Sequence, residues 1–300
     1  MGRRGQWPAD PEPLPAPVID NHTHLESIGD VLDDDVIDPG VAAQLRRAAA
    51  VGVTAVVQIG CDLDSARTSL QWAHDHRQLV AGVAIHPNEA VLHAGIDEVA
   101  PDGLPPAPQP RHVHSLDEAI AVIADLARDG RVRTIGETGL DFFRAGERGR
   151  LAQRQSFRAH IALAKELGLP MQIHDRDAHA EVLQVLDADG APEATVFHCF
   201  SGDEQFAAEC VRRGYYLSFA GPVTFATADQ VRAAAAIVPA TQLLVETDAP
   251  FLTPAPHRGA PNAPYLLPHA VRRLAQVRGG DLAQLCQQLE RNARRLYGPW

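Results

Sequence analysis

Eight short runs rich in β-branched residues recur along this chain from residue 18 onward, and their alternation with longer segments constrains the fold more than any other feature. The runs fall at 18–25, 54–60, 79–86, 132–139, 171–174, 195–200, 216–220 and 242–247. Between them lie amphipathic stretches that read as helices, among them 63–76, 116–128, 153–167, 203–213 and 229–237. A strand reaches a parallel partner only through a crossover, so this alternation implies a parallel sheet covered by helices. Eight such units predict an α/β fold of the (β/α)8 TIM-barrel type, with the functional site at the carboxyl rim of the strands. An open doubly wound sheet is the competitor, but no G-x-G-x-x-G follows the first run to support it.

The 300 residues then divide into a proline-rich tail at 1–17, expected to be disordered, and one barrel at 18–300. Residues 91–114 interrupt the repeat after the third strand. Rich in proline between Pro101 and Pro110 and without periodicity, they read as a mobile surface insertion. Two helical segments after Leu267 close the chain.

A barrel strand covered on both sides should be apolar throughout. Here the carboxyl ends break that rule on six strands. They carry His22-Thr23-His24, His86, Glu137, His174, His198 and Glu246-Thr247-Asp248. One strand-end histidine is ordinary, but this many imidazoles and carboxylates on one rim point to a metal site. His86-Pro87 serves equally well as the turn out of the third strand. Glu246 shares a face with Asp248 but lies deeper, and reads as a ligand or as the hydrogen-bond partner of one.

The sequence offers H-x-H three times, and geometry separates the three. On a strand, residues i and i+2 project from one face, so His22 and His24 can share an ion. On a helix they diverge by about 200°, which excludes His74 and His76. The pair His112/His114 sits in the insertion, where nothing in the sequence holds it. Both later pairs read as solvated surface.

Four imidazoles (His22, His24, His174, His198) with Glu137 and Asp248 exceed the needs of one tetrahedral ion. They suit two borderline divalent cations bridged by a carboxylate, and hence hydrolysis. The ligand set leaves zinc, manganese, magnesium, cobalt or nickel open. Serine and cysteine nucleophiles have less support, since there is no G-x-S-x-G and Cys199 points away from the face of His198.

With 27 basic and 38 acidic side chains the net charge is -11, so the global field repels an anionic polymer. Two divalent cations would offset four of those charges at the rim, which leaves room for locally anchored and weak binding of DNA ends or oligonucleotides. Four cysteines without a C-x-x-C are too few for a disulfide scaffold. Met1-Gly2-Arg3-Arg4 is followed by prolines and not by an apolar run, and the longest nearly apolar stretch, 48–60, falls short of a membrane span. A cytoplasmic protein with no membrane association and no obligate protein partner is expected.

These residues resemble the TatD-like metal-dependent hydrolases, a branch of the amidohydrolase-type barrels that includes deoxyribonucleases. The matching stretches are Ile19-Asp20-Asn21-His22-Thr23-His24-Leu25, Ile85-His86-Pro87, Ile135-Gly136-Glu137-Thr138-Gly139-Leu140-Asp141, Ile173-His174-Asp175-Arg176-Asp177-Ala178, His198-Cys199-Phe200-Ser201-Gly202, Leu244-Val245-Glu246-Thr247-Asp248-Ala249-Pro250 and His257-Arg258-Gly259. They occur in family order across about Val18 to Tyr297. The resemblance implies that His22, His24, Glu137 and Asp248 hold a first metal and Glu137, His174 and His198 a second, with Glu137 bridging. It makes Asp248 the general base and Arg258 a phosphate contact, with His86 and Arg176 also facing substrate. Arg258 and Arg176 read equally well as solvated surface arginines.

Two departures stand out. Ala260-Pro261-Asn262-Ala263-Pro264 lacks the basic residue and glutamate usual in relatives, and Phe142-Phe143 stands where a tyrosine is frequent. The resulting expectation is a deoxyribonuclease that cleaves phosphodiester bonds at a two-metal centre. Hydrolysis of a small ester, amide or phosphate is the alternative, and a non-catalytic binding barrel the third reading.

Overall fold

In the computed structural model, which describes residues 6–34 and 36–300, the strands are β1 (Val18–Thr23), β2 (Val53–Gly60), β3 (Leu79–Val83), β4 (Val132–Asp141), β5 (Met171–Arg176), β6 (Thr195–Phe197), β7 (Tyr216–Phe219) and β8 (Leu243–Val245). The helices among the described residues are α1 (Ile28–Val31), α2 (Val41–Ala50), α3 (Leu63–Asp75), α4 (Pro87–His93), α5 (Leu116–Leu126), α6 (Glu147–Leu167), α7 (His179–Asp189), α8 (Glu204–Arg212), α9 (Asp229–Ile237), α10 (Leu267–Arg278) and α11 (Leu282–Tyr297). The strands form one sheet in chain order from β1 to β8. A parallel bridge between Thr23 and Ala249 joins β1 to the segment leaving β8. Eight parallel strands in chain order, the last returning to the first, make the expected (β/α)8 barrel.

The chain's contacts gather into two compact units. Unit one comprises residues 6–58, 75–80 and 198–300, and unit two comprises residues 59–74 and 81–197.

In unit one a buried polar network fixes β1. Asn21 Nδ2 donates to Ser218 Oγ at 2.7 Å and to the Val245 carbonyl at 2.8 Å, while Tyr297 Oη donates to Asn21 Oδ1 at 3.0 Å. One amide thus ties β1 to β7, β8 and α11, and burial makes each of these bonds costly to lose.

The expected disordered tail is not what residues 6–17 form. The Tyr265 hydroxyl donates to the Pro8 carbonyl at 2.9 Å, Arg272 holds the Glu12 and Pro13 carbonyls, and the buried Leu14 bonds through its amide to Val51. Proline-rich chain carries few amide donors, so side chains elsewhere in unit one satisfy its carbonyls. Residues 1–5 of that predicted tail lie outside the described residues.

In unit two, β4 and β5 pair closely enough that only glycine fits at position 139, where a Cβ would meet the His174 carbonyl oxygen at 2.1 Å. Gln153 of α6 accepts from the Asp141 amide at 2.9 Å and donates to its carbonyl at 3.1 Å, fixing the end of β4.

The insertion differs from expectation. Its first residues complete α4, and residues 110–113 form a 3₁₀ turn. His112, read as solvated, has a side chain only 2% exposed and bonds to Glu89. The pair His74/His76 behaves as predicted at His74, which is exposed and meets Asp129 at 3.0 Å.

Candidate metal centre

The first group of ligand-type side chains belongs to unit one. β1 presents His22, and His24 follows directly on its end, so their Nε2 atoms face each other at 3.1 Å. Asp248 Oδ1 lies 3.9 Å from His22 Nε2 and 3.5 Å from His24 Nε2. Two ring nitrogens and a carboxylate oxygen converging this closely fit a divalent cation.

Asp248 reaches this position from a left-handed backbone conformation, φ 52°, with its amide donating to the His22 carbonyl at 3.0 Å. Such a conformation is uncommon for a residue other than glycine and marks a constrained side chain. Burial favours the neutral acid, but the His24 hydrogen bond and the charges of His198, His22 and His24 hold the Asp248 carboxyl below its usual range. Below them, burial pushes Asp20 up to about 8, opposed by its bonds to Thr247 and His22.

His198, expected as a ligand of the second metal, stands beside His22 in unit one. Its ring stacks on that of His22 with centroids 3.9 Å apart, and its Nδ1 donates to Glu246 Oε1 at 3.2 Å. The same oxygen accepts from the Cys199 amide at 2.8 Å. Glu246 therefore orients a histidine, and the shared proton on Nδ1 leaves Nε2 as the lone-pair nitrogen.

The second group belongs to unit two and centres on the buried Glu137 of β4. Its Oε1 lies 2.5 Å from His174 Nδ1 and 3.5 Å from His86 Nε2, and Cys61 Sγ lies 3.4 Å from Oε2. His174 Nε2 in turn meets Asp141 Oδ2 at 3.3 Å. Asp141 gains two further donors, the Arg144 amide at 3.0 Å and Asn88 Nδ2 at 3.3 Å. Burial opposes its ionisation, yet the hydrogen bonds from His174 and from the Arg144 amide lower its pKa. The group Glu137, His174 and His86 also has the spacing for a cation.

His86 differs in one respect from the other histidines. As N-cap of α4 it accepts the Asn88 amide on Nδ1 at 3.1 Å, which leaves the proton of the neutral ring on Nε2. Burial lowers its pKa despite the neighbouring Glu137, so the neutral ring is favoured. His86 accordingly presents a donor, which suits a substrate oxygen or Glu137 better than a metal.

Each of the two arginines stacks on a phenylalanine ring of its own unit. In unit one, Arg258 stacks on Phe225, 4.1 Å from the ring centre, beside a cleft of about 380 Å³ that Val31, Leu252 and Thr253 also line. In unit two, Arg176 stacks on Phe143 at 4.0 Å. Sequence reasoning missed Asp141 and Cys61 as site residues. The strand period carried a signal for the first, since Asp141 is four residues beyond Glu137 on the same face of β4.

A nearly closed β/α barrel carrying histidine and carboxylate groups at its strand ends is the architecture of the metal-dependent hydrolases, and this chain is one of them. The model of a family described as TatD related DNase matches residues 19–298, so the chain belongs to the TatD family. It is 42% identical over 285 residues to an uncharacterized metal-dependent hydrolase TatD of Mycobacterium tuberculosis, covering 94% of this chain and 98% of that one. It is 35% identical over 260 residues to a protein of Cronobacter sakazakii named 3'-5' ssDNA/RNA exonuclease TatD, covering 84% and 90%. Among solved structures, the TatD homolog YjjV from Escherichia coli K12 superposes with a TM-score of 0.77 at 26% identity, covering 93% of this chain and 97% of that one.

Proposed function

We propose that this protein is a nuclease that hydrolyses phosphodiester bonds at the ends of single-stranded or frayed DNA, using two divalent cations. The observation that carries this reading is the meeting of His22 Nε2, His24 Nε2 and Asp248 Oδ1 in one group, matched in unit two by Glu137 with His174. His22, His24, Asp248 and His198 are the proposed ligands from unit one, and Glu137 and His174 those from unit two. The family resemblance implies that Glu137 would serve both cations. When bound, such cations lower the pKa of water and withdraw charge from a phosphoryl oxygen.

The protein's own groups then have distinct tasks. Asp248, held ionised, accepts the proton of the attacking water at a carboxylate oxygen and orients that water. Asp141 and Glu246 hold the His174 and His198 rings in ligating orientation. His86 donates from Nε2, and Arg258 and Arg176 offer guanidinium donors to phosphate oxygens. A site at a recessed barrel rim admits a splayed strand more readily than an intact duplex. The exonuclease name of the Cronobacter relative supports a nucleic-acid substrate.

The test is release of nucleotides from single-stranded and duplex DNA by metal-loaded protein, by the chelator-treated form and by His174→Ala and Asp248→Asn. Loss of release in all three altered forms is expected. Equal release by wild type and variants would overturn the assignment.

The second reading, hydrolysis of a small ester, amide or phosphate, is favoured by the net charge of -11 and by the lack of a basic residue between Ala260 and Pro264. Competition between oligonucleotides and a small-molecule library for the same metal-loaded enzyme separates the two.

A further inference from the structure

We propose that Glu89, His93 and His112 form a separate divalent-cation site in unit two, one that fastens the segment after α4 back onto that helix. Glu89 and His93 are four residues apart on α4 and share a face, while His112 arrives from the 3₁₀ turn at Pro110–Val113. One ligand atom from each lies within 4.8 Å of the other two, and the imidazoles pack edge to face with centroids 4.7 Å apart.

His93 carries the argument. It is only 4% exposed, and its Nδ1 donates to the His114 carbonyl at 2.8 Å. That bond fixes the tautomer with the lone pair on Nε2, the pose of a metal-ligating histidine whose other nitrogen is held by a carbonyl. Nε2 itself is buried and has no hydrogen-bond partner. A buried lone pair beside a carboxylate calls for a positive centre between them.

The surrounding charge is consistent with a dication. Arg111 is bidentate to Glu89 at 2.7 and 3.1 Å, but it also lies 3.5 Å from Asp62 and 3.8 Å from Asp64. Three carboxylates thus face one guanidinium, and Arg111 can turn to Asp62 and Asp64 when Glu89 takes a cation. His112 Nε2 now donates to Glu89 at 2.8 Å, with Nδ1 accepting the Gln109 amide at 2.7 Å. Ligation through Nε2 moves its proton to Nδ1 and gives up both the Glu89 and the Gln109 hydrogen bonds of His112, in exchange for a metal bond to a cation that Glu89 also holds. Two imidazoles and one carboxylate select zinc, cobalt or nickel over magnesium or calcium.

The consequence reaches beyond the site itself. His86 is the N-cap of α4 and His93 its last residue, so a cation at the far end stiffens the helix that positions His86.

The experiment uses Co²⁺ alone as the probe. In full-length protein carrying His24→Ala and His174→Ala, which disable the two groups of the main centre, equilibrium dialysis should still find one bound Co²⁺ per chain with a tetrahedral-type visible absorption. Adding His93→Gln, or independently His112→Asn, should weaken that binding by at least roughly tenfold. In the otherwise unaltered chain, His93→Gln should lower bound Co²⁺ by one equivalent while nuclease turnover persists. Far-UV circular dichroism confirms that each variant is folded, and His112→Asn replaces His93→Gln if the latter is not. The proposal is overturned if the His24→Ala/His174→Ala protein binds no Co²⁺, or binds one that neither added change weakens.

Discussion

Glu246 Oε1 holds the Nδ1 proton of His198 at 3.2 Å while accepting the Cys199 amide at 2.8 Å, so one buried oxygen sets both the tautomer of a proposed ligand and the backbone that carries it. Removing the carboxylate with Glu246→Ala is expected to weaken metal binding about 10- to 100-fold. Glu246→Gln keeps an acceptor oxygen at that place and should lose much less. Metal affinity from competitive chelation measures both. Equal losses in the two variants would mean that Glu246 contributes charge or ligation and not orientation.

The barrel was legible in the sequence because its alternation is local, as β-branched runs and amphipathic segments repeat over short windows. The centre was legible for a related reason: polar residues at the ends of otherwise apolar strands contradict burial unless they do something there. What escaped depends on contacts distant in sequence. Nothing around His112 shows that Glu89, 23 residues earlier, covers it. Nothing around Pro8 shows that Tyr265 holds its carbonyl. Asp141 ends the stretch 135–141, yet its bond to His174 is visible only once β4 and β5 are paired in register, with Leu140 opposite Asp175 and Gly139 opposite His174.

Asp141 gives the second prediction. Asp141→Asn retains the size of the side chain but offers His174 Nε2 an amide in place of a carboxylate. With its oxygen at the Oδ1 place the new side chain still accepts the Arg144 amide, while its NH2 at the Oδ2 place leaves His174 Nε2 and the part-buried Asn88 Nδ2 without their acceptor. Metal affinity at the His174 group should fall by about 10-fold with little change in folding stability. Parallel dialysis and urea unfolding measure the two quantities. A large loss of stability with unaltered affinity would reassign Asp141 to a structural role.

Asp248 is the residue on which base catalysis is proposed to rest. Asp248→Asn keeps one ligating oxygen near His24 but cannot accept a proton at neutral pH. Turnover of oligonucleotides should fall by about 10²- to 10⁴-fold. Cation binding should fall far less. If affinity and turnover fall together by the same factor, Asp248 acts only as a ligand.

The last prediction concerns His160, which the proposed chemistry does not use. Its Nε2 accepts the Ile85 amide at 3.1 Å and its Nδ1 donates to the Ser156 carbonyl at 2.7 Å, pinning the residue before His86 to α6. The ring is fully buried, and burial lowers its pKa to about 4 from 6.5. Above pH 6.5 both folded and unfolded chains hold this histidine neutral, so its contribution to stability is fully present. As pH falls below 6.5 the unfolded chain binds a proton that the folded chain refuses until about pH 4. Stability therefore declines across that window, by about 3 kcal/mol in total and about 2 kcal/mol by pH 5. Below pH 4 the two states carry the same charge again and this group adds no further slope. His160→Gln supplies an acceptor and a donor without a proton to titrate, so the drop in urea-unfolding free energy between pH 7 and pH 5 should shrink by about 2 kcal/mol relative to wild type. An unchanged drop would show that His160 is already protonated in the folded protein, with the Ile85 amide bonded elsewhere.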